Sequence, residues 1–121
     1  MITQEQIKAL QERTASLKRY LDIDGKRVEV EEEELRTHVP DFWNDQKAAE
    51  AQMRKVKALR FWIEGYEEVA SLVDEVVLGV DFVKEELITE AELDDLYARA
   101  LDKVEKLELR NMLRQEEDKM D

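Results

Sequence analysis

The sequence predicts an all-α fold, an elongated antiparallel helical bundle with one long coiled-coil-like hairpin. Three observations carry that expectation. Gly is 3 and Pro is 1 in 121 residues, so few positions interrupt a helix. Charged residues reach 41% while hydrophobic residues still reach 43%, the balance of amphipathic helices with wide solvated faces. Apolar residues recur at spacings of three and four, which stack on one helix face, whereas a strand would alternate every second residue.

The first helix is predicted over residues 3–21. Thr3 and Gln6 have the form of a capping box, and Ile7, Leu10, Thr14, Leu17 and Leu21 follow on one face. The stretch Asp22-Ile23-Asp24-Gly25 breaks the pattern, because aspartates bond local amides in turns and Gly relaxes the backbone. A second helix is predicted over 26–37. Its valines alternate with charges, but the Glu31–Glu34 run is a poor strand, and Val28 and Leu35 lie seven apart. Pro40 bars helix at Val39 and opens Pro40-Asp41-Phe42-Trp43-Asn44-Asp45, where Asn44 or Asp45 can cap a new helix and the two aromatic rings pack beside its start.

The third helix is predicted over 44–79. Ala49, Gln52, Val56, Leu59, Ile63, Tyr66, Ala70, Val73, Val77 and Val80 form a seven-residue seam with one polar lapse, Gln52. At 1.5 Å per residue this helix is roughly 50 Å long. A mixed connection runs to about Ile88. Thr89 and Glu92 then form a second capping box, and Leu93, Tyr97, Ala100, Val104 and Leu107 set out a last helix over 90–114. Neither long helix can stay ordered in water with a bare seam, so the two are expected to pair antiparallel, with the first helices closing the remaining side. A chain of this length suits a single domain, 1–121.

The composition excludes several functions. A net charge of -12 repels phosphate backbones, so autonomous nucleic-acid binding is not expected. Without cysteine there are no disulfides and no thiolate metal sites. The N-terminal residues have neither the basic start nor the apolar run of a signal peptide, and no stretch approaches the ~18 apolar residues of a membrane span. A cytoplasmic protein without cofactor or membrane partner is expected.

The single histidine, His38, shares a helix face with Glu34, but a metal-binding bundle needs more histidines than one. It reads as a solvated or capping residue, and Glu31–Glu34 as a solvated face. Lys47, Arg54, Lys55, Lys57 and Arg60 form the one basic stretch, in which Lys47, Arg54 and Lys57 point away from the seam and are the candidate contacts for RNA or an acidic partner. Trp43 reads as a structural plug beside the proline turn, and Trp62 as the edge of the core. Gly25, Gly65 and Gly79 are isolated, so no glycine-rich phosphate loop is present, and no catalytic residue can be assigned.

The segments Arg19-Tyr20-Leu21-Asp22, Pro40-Asp41-Phe42-Trp43-Asn44 and Lys106-Leu107-Glu108-Leu109-Arg110-Asn111-Met112-Leu113, in this order and spacing, resemble the N-terminal domain of bacterial peptide chain release factor 2. Pro40, Asp41, Trp43 and Asn44 are the most specific part of that resemblance. It implies translation termination, with nascent-peptide release on the ribosome at UGA or UAA codons. The family's Ser-Pro-Phe and Gly-Gly-Gln motifs do not occur in these residues, so this chain is not expected to be an enzyme by itself. The resemblance implies an excised ribosome-docking arm, lying near the GTPase-associated region of the large subunit in the intact factor. The competing reading is a free-standing coiled-coil adaptor that pairs with a second copy through the Ala49–Val80 seam. A severed arm can itself dimerise through a surface its parent covers.

Overall fold

The computed structural model describes residues 1–120 as four α-helices and one short 3-10 turn: α1 (Gln4–Tyr20), α2 (Ile23–Arg36), the turn Phe42–Asn44, α3 (Gln46–Lys84) and α4 (Glu90–Lys119). No strand occurs among the described residues. Both capping boxes form: the Thr3 hydroxyl accepts from the Gln6 amide while Gln6 accepts from the Thr3 amide, and Thr89 and Glu92 repeat the exchange.

The helices form an elongated antiparallel bundle along α3. Gly79 lies against Leu93 and Gly65 against Leu107, so α4 runs back along the C-terminal part of α3. Ile2 meets Asp94 and Arg13 meets Glu108, which sets α1 parallel to α4. The chain then passes almost without interruption into α2, which follows α3 toward its start: Arg27 pairs with Glu67, and Glu33 with Lys55. At 39 residues, α3 is about 58 Å long and serves as the common spine.

The break between α1 and α2 is tighter than the sequence suggests. Only Leu21 and Asp22 separate the helices. Asp22 takes the left-handed conformation (φ 48°), and its carboxylate accepts from the Gly25 amide. A Cβ at Gly25 would collide with that carboxylate, so glycine here permits the cap rather than ending a helix. Leu21 and Ile23, on either side of Asp22, are both fully buried.

The core unites α1, its junction with α2, α4 and the C-terminal half of α3: Leu10, Leu17, Leu21 and Ile23, then Val69, Val73 and Val76, then Leu93, Ala100, Val104 and Leu107. Ala49, Val56, Ile63 and Val73 are buried on the predicted seam, but Val69 and Val76 are buried in place of the predicted Ala70 and Val77, which with Val80 are half-buried. The N-terminal part of α3 packs on α2 and its C-terminal half on α1 and α4, so the buried face of the helix changes with its partners.

Two helix ends also differ. The third helix passes through Gly79 and ends at Lys84, and the last runs to Lys119. Gly79 is buried at a close approach, where an added Cβ would lie 2.8 Å from Leu93 Cδ1. The true stop is Glu86 at φ 60°: its amide donates to the Val83 carbonyl and that of Leu87 to Phe82, the paired bonds of a Schellman motif. Left-handed backbone costs a residue bearing a Cβ roughly 1–2 kcal/mol. Glu86→Gly is therefore expected to stabilise the protein by about 0.5–1 kcal/mol after the added freedom of the unfolded glycine, read as a higher urea midpoint with unchanged slope.

Candidate functional site

Helix α2 presents a different face to α3 from the one its apolar residues indicate. Val28 and Leu35 are 53% and 67% exposed, while Glu33 is only 3% exposed. The Glu31–Glu34 run is thus not uniformly solvated. Glu33 is engaged by Lys55 (3.4 Å) and Arg36 (3.4 Å), Lys55 also reaches Glu29 (3.3 Å), and Arg60 pairs with Glu34. One turn of helix separates Glu29 from Glu33, so both face the same stretch of α3. Their hydrogen bonds raise the Lys55 pKa above its ordinary 10.5, so this contribution to stability is complete below that pH and fades as pH rises past it.

This clamp divides the basic stretch in two. Lys55 and Arg60 are spent on α2, whereas Lys47, Arg54 and Lys57 are exposed and have no ion pair among the described residues. Seven residues separate Lys47 from Arg54 and three more reach Lys57, so the three cations share one exposed stripe of α3. Phe61, one turn beyond, is 49% exposed and carries the Arg110 guanidinium 5.4 Å from its ring centroid.

The Pro40–Asn44 motif leads into α3 with its rings split. Phe42 is half-buried, while Trp43 is 61% exposed and meets Phe42 edge-on at 4.7 Å. Trp43 is therefore not the plug expected from the sequence. In a 3-10 turn successive side chains diverge by about 120°, so only one of two adjacent rings can face the bundle. Asp45, not Asn44, caps α3, accepting from the Ala48 amide. Trp62 fits the core-edge reading: it is half-buried against the core, beneath Arg114 at 5.3 Å.

His38 is exposed beyond the end of α2, and Glu34 is held by Arg60. Among the described residues no group of three or more His, Asp or Glu side chains could hold a metal ion, and no helix is long and apolar enough to cross a membrane. At the junction of α1 and α2, Lys26 donates to the Leu21 carbonyl, and burial together with nearby Arg114 lowers its pKa. The sequence reading missed the opposite end of the molecule. There, Leu78, Phe82 and Leu87 are 53%, 40% and 66% exposed among carboxylates. Their positions outside the seam were the available signal.

Fold and surface together define a long helical rod with a basic stripe near the start of α3 and an acidic tip where α3 meets α4. Over nearly its whole length the rod is similar to part of peptide chain release factor 2. Identity is 31% to that of Frankia casuarinae, over 97% of this chain and 31% of the relative, and 35% to that of Proteus mirabilis, over 95% and 32%. The release factor 2 of Staphylococcus haemolyticus is 31% identical over 82% of this chain and 27% of its own length. The resemblance read from Arg19–Asp22, Pro40–Asn44 and Lys106–Leu113 is thereby borne out. The chain spans about a third of the length of these relatives. No protein-family profile matches it.

Proposed function

We propose that this chain is the docking arm of a translation termination factor that directs nascent-peptide release on the ribosome at UGA or UAA codons. The observation that carries the reading is its similarity to release factor 2 over 95–97% of its length, with no large part of the chain left over for another role. The architecture suits docking. A 39-residue spine held on several sides reaches a remote surface without a large ordering cost on binding. The adaptor alternative loses support, because Ala49, Val56, Ile63 and Val73 are buried within the chain, and a seam already covered is not free to zip with a second copy. The exposed cations Lys47, Arg54 and Lys57 are the proposed contact with the large subunit near its GTPase-associated region.

Exchange of this chain for the corresponding third of the Proteus mirabilis factor tests the reading. The chimera is expected to restore UGA termination in cells depleted of their own factor. A chimera that is folded and abundant but inactive would overturn the proposal. Reversing Lys47, Arg54 and Lys57 to Glu in the active chimera is expected to weaken ribosome binding by about tenfold or more and to flatten its salt dependence. Unchanged binding would remove the basic stripe from the contact.

A further inference from the structure

We propose that the outer groove at the α3–α4 tip is a docking site for a basic amphipathic helix of a protein partner. This rests on reading the chain as a docking arm, but it concerns the end of the molecule away from the basic stripe. The groove is apolar along its length, with Leu78 and Phe82 from α3, Ile88 from the connection and Leu96 from α4. Leu78 and Phe82 are 53% and 40% exposed, beside Ile88 and Leu96, which pack against the core. Among the described residues no element covers this face.

Charge selects the occupant. Between Asp74 and Asp95 the sequence holds nine carboxylates and a single cation, Lys84, and none of these groups is in an ion pair among the described residues. Glu75, Glu92 and Asp95 rim the groove, with Arg99 the one cation on its edge. Glu92 is partly engaged by Thr89, while Lys84 faces the other side of the tip, with Gln4, Glu5 and Lys8 of α1. Elsewhere ion pairs do form, as at Glu29, Glu33 and Glu34 with Lys55 and Arg60. An apolar floor between acidic rims complements a helix with apolar residues at i, i+3 and i+4 and Lys or Arg on its flanks. The same field repels a nucleic-acid backbone.

The test uses the full chain, isotope-labelled for NMR. The probe is an 18-residue Leu/Lys peptide with leucines on one helical face, and the control is a scrambled peptide of the same composition. The amphipathic peptide is expected to shift resonances of residues 75–99 and to bind at least about tenfold more tightly than the scrambled one. Leu78→Ser and Phe82→Ser should each abolish that preference. Both side chains are substantially exposed, so the variants are expected to keep the wild-type circular dichroism. Equal binding of the two peptides, shifts spread over all acidic surfaces, or shifts of this groove by a uridine oligonucleotide would each overturn the proposal. An inactive chimera with groove binding intact would indict the termination reading and leave this site standing.

Discussion

Replacing Ile23 with Ala is expected to destabilise the protein by about 2–5 kcal/mol, the range for truncating a fully buried aliphatic side chain that leaves a cavity. Against a typical total of roughly 5–15 kcal/mol, that is a large fraction. Ile23 is 0% exposed and belongs to the same core as Leu21, Val76 and Val104. It also begins α2 directly after the left-handed Asp22, where the backbone has little room to follow a shrinking side chain. Leu35→Ala is the internal control. Leu35 lies on the same helix but is 67% exposed, so its loss should fall within about 0.5 kcal/mol of zero. Urea unfolding followed by circular dichroism measures both. Equal effects would mean that α2 docks through its apolar Val28–Leu35 face.

The contrast between those two residues shows where the sequence was readable. The helical class, both capping boxes and the pairing of the last two helices follow from local chemistry, because a Thr-x-x-Gln or Thr-x-x-Glu cap needs only residues three positions apart. The docking face of α2 does not follow from periodicity. It is set by Lys55 and Arg60 on another helix, which draw Glu29, Glu33 and Glu34 inward and leave Val28 and Leu35 outside. The same distinction applies to the candidate site. That Lys47, Arg54 and Lys57 point away from the seam was legible, whereas the pairing of their neighbours Lys55 and Arg60 depends on the path of α2. The exposed ring of Trp43 was missed because nothing in the local sequence tells which of the two adjacent rings of the Phe42–Asn44 turn faces the bundle.

Gly65→Ala should stabilise the protein and Gly79→Ala should not, although both glycines lie inside α3 and both substitutions improve helix propensity by roughly 1 kcal/mol. At Gly65 the new Cβ would stand 3.6 Å from Leu107 Cδ1, an ordinary contact, so the propensity gain is retained and stabilisation of about 0.5–1 kcal/mol is expected. At Gly79 the corresponding distance is 2.8 Å to Leu93 Cδ1, with Leu96 and Ile88 methyls at 3.5 and 3.6 Å behind it. Leu93 is itself 2% exposed, so its methyl cannot swing into solvent, and the helices must separate or Leu93 must leave its rotamer. Overpacking of this kind costs typically 1–3 kcal/mol, enough to cancel or exceed the propensity gain for Ala and to dominate for Val. Gly79→Val should lower the urea midpoint most of the three, since its added methyls enter the same contact. If Gly79→Ala stabilised the protein as much as Gly65→Ala, the close approach of α3 and α4 at the tip would be wrong, and Gly79 would act only as a helix-weakening residue.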